Sequence, residues 1–136
     1  MAIVPSVKSA GRLVGEAGYM FYSQSDGEIN VNGNFEGYGY SGCGGGRNNP
    51  DAEKLHNSGP IPQGLWIIGP MRDGGHLGPF VFDLTPMPET ETFGRSLFRI
   101  HGDNITHNAS LGCIIAGRAI RLMIWHEGIT RLEVVR

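Results

Sequence analysis

One segment of the chain holds residue types that can do covalent chemistry at short spacing. It runs Phe98-Arg-Ile-His-Gly-Asp-Asn-Ile-Thr-His-Asn-Ala-Ser-Leu-Gly-Cys-Ile-Ile115, and its His101 stands twelve residues before Cys113. A cysteine attacks only as its thiolate, and a free thiol titrates near about 8.5. An imidazole within hydrogen-bond reach takes the thiol proton or stabilises the anion. Gly112 lets the chain turn tightly and leaves no Cβ in the path of an incoming carbonyl. Backbone N–H groups around Gly112 and Cys113 are then placed to receive the oxyanion of a tetrahedral intermediate, at about 3–4 kcal/mol per donor. Ser110 is expected to hydrogen-bond the backbone on the approach to Cys113. Nucleophile, base and oxyanion donors thus fall within thirteen residues.

Around this core lie further candidates. Arg95, Arg99 and His101 share parity, so a strand through them puts all three on one face. Either arginine could grip a substrate carboxylate with its forked guanidinium, or stand as a solvated surface pair. Asp103 follows His-Gly and reads as a turn former with an orienting or substrate role as the alternative. Tyr40 and Ser41, in the glycine-rich stretch Gly37-Tyr-Gly-Tyr-Ser-Gly-Cys-Gly-Gly-Gly46, could line the cleft as a lid. His107 reads as loop. Cys43 has no histidine in similar relation to it and reads as structural; iodoacetamide is expected to label Cys113 faster.

The elements that must position these residues are mostly strands. Tyr19–Gln24 and Glu28–Asn32, joined by Ser25-Asp-Gly27, read as a hairpin. Gly33 to Gly59 reads as one long loop, which in a compact domain is usually functional. Short apolar runs at Leu65–Ile68, Pro79–Leu84, Leu97–Ile100, Cys113–Ala116 and Leu132–Val135 read as further strands. Apolar residues at 119, 120, 123 and 124 fit one short helix over Arg118 to Trp125. The expected architecture is mainly β, about seven strands and one helix, as a sandwich or partly open barrel. A lead-in covers residues 1–18 and a single domain covers 19–136.

Composition agrees. Glycine is 22 of 136 residues, about twice the usual level, and eight prolines join it, which disfavours a helix bundle. Lys+Arg of 11 against Asp+Glu of 13 gives a net charge of −2. That excludes the basic footprint of a nucleic-acid binder and the polybasic stretch of an electrostatic membrane binder. No apolar window is long enough to insert in a membrane. Two cysteines are too few for a disulfide scaffold or a four-thiolate zinc site. The first twenty residues carry no secretory apolar run.

Histidine-before-cysteine order separates this chain from papain-like enzymes, where the cysteine comes first, and from caspases, where the histidine lies about 50 residues upstream. The order resembles the L,D-transpeptidase catalytic domain, with its upstream histidine and Ser/Thr-X-Gly-Cys, here Ser110-Leu-Gly-Cys113. Leu111 stands where that family carries a second histidine, and the connection is shorter. Both departures resemble a glycine-rich branch, the Tlde1 group of type VI secretion effectors. Its blocks stand here as Tyr40-Ser-Gly42, Asn48-Asn-Pro50, Gly59-Pro-Ile-Pro-Gln-Gly64, Arg95 through Asp103, and Ser110 through Ile114.

The resemblance implies an L,D-transpeptidase-like fold and an enzyme acting on peptidoglycan stem peptides without metal or organic cofactor. Cys113 would attack the carbonyl of meso-diaminopimelate and release the terminal D-alanine. The thioester would pass to water, as an L,D-carboxypeptidase, or to an amine, as an L,D-transpeptidase. His101 would be the general base, with Ser110 and Gly112 completing the catalytic set. Main chain at Leu111, Gly112 and Cys113 would form the oxyanion hole, and Asp103, Arg95, Arg99, Leu111, Tyr40 and Ser41 would contact substrate. Partners would be stem peptides, a cognate immunity protein and type VI secretion components. Synthesis in the cytoplasm without a signal peptide, then secretion to the periplasm of a target bacterium, would follow. Two rival readings remain at this point. His101, Asp103, His107, Cys113 and His126 could serve a zinc-dependent wall hydrolase, and a non-catalytic wall-binding β module would need no nucleophile.

Overall fold

The computed structural model describes residues 18–136; the lead-in expected over 1–18 lies outside them apart from Gly18. Among the described residues, nine strands form one sheet: β1 (Tyr19–Ser23), β2 (Glu28–Val31), β3 (Asn34–Tyr38), β4 (Tyr40–Ser41), β5 (Gly64–Arg72), β6 (Val81–Pro86), β7 (Arg99–His101), β8 (Ile114–Ile115) and β9 (Arg131–Val135). Their order across the sheet is β3-β2-β1-β9-β5-β6-β7-β8-β4. The sequence predicts a mainly β sandwich or partly open barrel with one helix; the fold observed over the described residues is mainly β, a nearly closed barrel with one helix, α1 (Arg118–His126).

The closure is visible in the chain path. β3 is one margin of the sheet and β4 is the other, yet Gly39 alone separates them. Its N–H donates to the Gly27 carbonyl, and a Cβ there would lie 2.2 Å from the Ile115 carbonyl oxygen. Only glycine lets the chain step across this seam.

Alternation fills the interior. Met20 and Tyr22 of β1, Ile29 and Val31 of β2, Trp66 and Ile68 of β5, Phe82 and Leu84 of β6, and Leu132 and Val134 of β9 point inward. Each such large side chain contributes about 1.5–3 kcal/mol by leaving water. Trp66 meets Phe98 edge to face, with ring centroids 5.1 Å apart. Helix α1 adds Ile120 and Ile124 to this cluster. It stops in a Schellman turn: Gly128, at φ 64°, sends its N–H to Trp125, and Ile129 sends its N–H to Ile124.

Two strands lie where a loop was expected. β3 is mostly exposed, so no apolar alternation marks it, and β4 has only two residues. The remaining segment is held by 3-10 turns at Gly44–Gly46 and Pro50–Ala52; the second is capped by the Asn49 side chain accepting from Asp51 N–H. β5 runs further than its apolar run, and its register shifts between Ile68 and Met71, a bulge that accommodates Pro70. The third apolar run begins as a strand only at Arg99, because Leu97 takes a positive φ of 64°.

Candidate active site

β7 and β8 are neighbours, and they run parallel, with Ile100 opposite Ile114 and His101 opposite Ile115. A parallel pair would normally put the end of one strand far from the start of the next. Here the strands are three and two residues long, so Cys113 sits beside Arg99, two positions from His101. All three share one face. Cys113, His101 and Arg99 line a cleft of about 360 Å³ together with Arg95, Leu97, Leu111 and Gly112.

His101 is almost fully buried, at 3% exposure. Its Nδ1 lies 2.8 Å from the carbonyl of Gly102. A carbonyl only accepts, so Nδ1 carries the proton and Nε2 is left as the unprotonated nitrogen. Burial pulls the imidazole below its ordinary titration range; the Gly102 carbonyl opposes this, and the Arg99 and Arg121 charges add to it. Burial also pushes the Cys113 thiol up, against the Arg99 N–H and guanidinium, which draw it down. Both shifts favour the uncharged forms, a thiol and a neutral imidazole. The thiol donates to the Leu97 carbonyl at 3.6 Å. Cys113 is buried and Cys43 half-buried, so packing opposes the labelling order expected from sequence.

The turn before Cys113 is built around one hydroxyl. Ser110 is fully buried, and its Oγ donates to the Cys113 carbonyl at 2.6 Å. The same oxygen accepts the N–H of Gly42 at 2.9 Å and of Gly112 at 3.0 Å. The Gly112 N–H is thus already committed, which removes it from the expected set of oxyanion donors. Gly112 itself has φ 141°, and its missing Cβ leaves room for the Arg95 guanidinium. Ser41 is fully buried too: its Oγ donates to the Gly112 carbonyl and accepts from Ile61 N–H. The expected contact of Ser41 with substrate is corrected to a brace beneath the turn, because β4 directs this side chain inward.

Arg95 departs from its expected role in the same way. It precedes β7, so strand parity does not reach it. Its guanidinium donates to the carbonyls of Glu53, Pro60 and Gly59 and lies over the Phe98 ring. It pins the glycine- and proline-rich loop to the site. Arg99 instead reaches Asp83, Nε to Oδ1 at 3.3 Å, and Asp83 is gripped through both oxygens by Arg72 at 2.7 and 2.8 Å.

Tyr40 and Asp103 line a second cleft, with Arg47, Arg118 and Arg121. Tyr40 OH donates to Asp103 Oδ1 at 2.6 Å, Asn104 N–H donates to the same oxygen, and His107 Nδ1 lies 2.8 Å from Oδ2. Burial alone would raise the Asp103 carboxyl, but the Tyr40 and His107 bonds hold it below its usual range. Burial and the Asp103 bond push the Tyr40 phenol up to about 12. This group fastens both ends of the connection between β7 and β8, since Tyr40 also accepts from Ala109 N–H. Leu111 stands at the first cleft with its side chain exposed.

Sequence reasoning missed His56 and His76, which rim the first cleft from a loop and from the 3-10 turn Gly75–Leu77, and the Asp83 and Arg72 pair. Neither histidine carries a spacing signal; cross-strand pairing of Asp83 with Arg99 could have been found only from register. Among the described residues, no three His, Cys, Asp or Glu side chains gather so as to hold a metal ion. No described helix is long and apolar enough to cross a membrane.

The barrel and its cleft define a mainly β protein with a buried cysteine and histidine facing one opening. Comparison with known families makes this specific: a family model described as the Tlde1 domain matches residues 36–136, and the chain belongs to that family. No curated protein matches the chain.

Proposed function

We propose that this protein is a cysteine acyl-transfer enzyme of the bacterial cell wall that acts on peptidoglycan stem peptides. The observation that carries this reading is the shared cleft of Cys113 and His101, with His101 Nδ1 tied to the Gly102 carbonyl and Nε2 left to take a proton. In the mechanism, Nε2 accepts the thiol proton as sulfur bonds to the carbonyl carbon of meso-diaminopimelate. The tetrahedral intermediate collapses, the carbon–nitrogen bond to D-alanine breaks, and His101 returns the proton to the leaving amine. The thioester then passes to water, giving L,D-carboxypeptidase activity, or to an amine, giving exchange. Ser110 and Ser41 hold the turn that presents the sulfur. No metal or organic cofactor enters these steps.

Membership of the Tlde1 domain family supports an antibacterial type VI secretion effector, delivered into the periplasm of a target cell and matched by an immunity protein in the producer. Mass spectrometry of tetrapeptide muropeptides incubated with the protein tests the chemistry. Loss of the D-alanine mass, abolished in Cys113→Ala and in His101→Ala, is the expected result. Unchanged muropeptides with the folded wild-type protein would leave a wall-binding module as the better account. Forced export to the periplasm tests the biology: lysis or rounding is expected from the wild type and not from Cys113→Ala.

A further inference from the structure

The cleft contains a charge that the thiol and imidazole do not account for. Register sets Arg99 of β7 between two partners. On one side Asp83 of β6 lies opposite it in the ladder. On the other, Cys113 lies beside it at the entry to β8. Arg99 and Cys113 line the same cleft, one step back along the ladder from the paired Ile100 and Ile114. The guanidinium is steered by Asp83 through Nε at 3.3 Å, and Asp83 is itself immobilised by the two-pronged grip of Arg72. A row of alternating charge, Arg72–Asp83–Arg99, leads to the cleft that Cys113 lines.

We propose that Arg99 is a catalytic residue that stabilises the Cys113 thiolate once His101 has taken its proton, and that Asp83 and Arg72 are positioning residues that aim it. This rests on Cys113 being the nucleophile. In the resting state the thiol proton goes to the Leu97 carbonyl. When that proton leaves, the sulfur is an anion beside a carbonyl oxygen, and the Arg99 guanidinium supplies the opposing charge. It does the same when sulfur becomes the leaving group as the thioester breaks. The arrangement separates the two arginines of the segment. Arg95 is occupied by three backbone carbonyls, whereas Arg99 keeps its fork for Asp83 and the sulfur. The charged and titratable groups that share the cleft with the sulfur are Arg99, Arg95, His101, His56 and His76, with Asp83 paired to Arg99 behind them.

The test is the rate of iodoacetamide alkylation of Cys113, measured from pH 6 to 10 (~6–10, spanning the thiol range) in the full chain carrying Cys43→Ser. It needs no stem peptide. In Arg99→Gln the profile is expected to move to higher pH, with alkylation at neutral pH about threefold slower. The loss is smaller than the change in thiolate population, because a less acidic thiol gives a more nucleophilic anion. Arg99→Lys is expected to recover part of the rate, since an ammonium supplies charge without the fork. Asp83→Asn discriminates by sign. Removing a negative charge alone would speed alkylation; releasing the guanidinium from its aim would slow it, and slowing is expected. An unchanged profile in folded Arg99→Gln, or in Arg99→Lys and Arg99→Gln alike, overturns the role of Arg99. Faster alkylation in Asp83→Asn overturns the positioning role. Inactive wild type on muropeptides with the Arg99 effect intact would instead overturn the substrate assignment alone.

Discussion

Gly112→Ala is expected to be one of the most damaging single-methyl additions in the chain, and the cost can be worked from its surroundings. The residue sits at φ 141°, where a side chain is strained by about 1–3 kcal/mol. The new Cβ would lie 2.5 Å from Arg95 Nη2 and 3.2 Å from a Phe98 ring carbon. The guanidinium cannot retreat without loss, because Nη2 holds the Gly59 carbonyl at 2.8 Å and Nη1 holds that of Pro60 at 2.8 Å. One buried charged hydrogen bond is worth about 1.5–3 kcal/mol. The combined loss is about 3–6 kcal/mol, a large share of the ~5–15 kcal/mol that holds a domain together. Urea denaturation of the wild type, Gly112→Ala, Arg95→Ala and the double variant measures it. With Arg95 already truncated, the closest contact is gone and the added methyl should cost its backbone strain and a small shift of the Phe98 ring, which stays 3.2 Å away. The two substitutions should therefore couple by about 1.5–3 kcal/mol. A cycle additive within about 0.5 kcal/mol, or a Gly112→Ala protein as stable as wild type, would refute the contact.

The remaining expectations concern the loop and the thiols. Tyr40→Phe removes the donor to Asp103 and the acceptor for Ala109 N–H, so it should cost about 1–3 kcal/mol and speed hydrogen exchange over residues 103–109. Asp103→Asn should narrow its stability gap to wild type in acid. The folded carboxyl is held below its unfolded value, so its contribution is complete above about pH 4 and vanishes as pH falls through the depressed folded value; thermal melts across that window should show the two proteins converging. At neutral pH in the wild type, iodoacetamide should modify half-buried Cys43 before buried Cys113, read by mass spectrometry of the peptides. Equal or inverted rates would show that Cys113 is more open and more ionised than its packing indicates.

Most of the architecture was legible because alternation and turn chemistry are local. The hairpin at Tyr19–Val31, the helix after Gly117 and the closing strand all carry their signals in neighbouring residues. β3 and β4 were not legible, since a strand at an exposed margin has no apolar face and a strand of two residues has no period. In the site, His101 and Cys113 could be paired by sequence because the segment linking them is short. The roles of their neighbours depend on register and on positive φ, which sequence does not display. Arg95 and Arg99 have the same residue type and the same parity, yet the bend at Leu97 sends one to a loop and leaves the other beside the sulfur. Ser41 looked like a group lining the cleft and is an internal fastening, whereas Ser110 was expected to hydrogen-bond the backbone before Cys113 and does so.

The passage of the chain through Gly39 ties the integrity of the barrel to the readiness of its thiol. β4 reaches β8 only by that step, and Ser41 on β4 is what grips the carbonyl just before Cys113. Unzipping between those two short strands would free the Gly112 carbonyl and expose Ile114 of the core together, so one lap joint of four residues fastens both the sulfur's mount and the barrel wall.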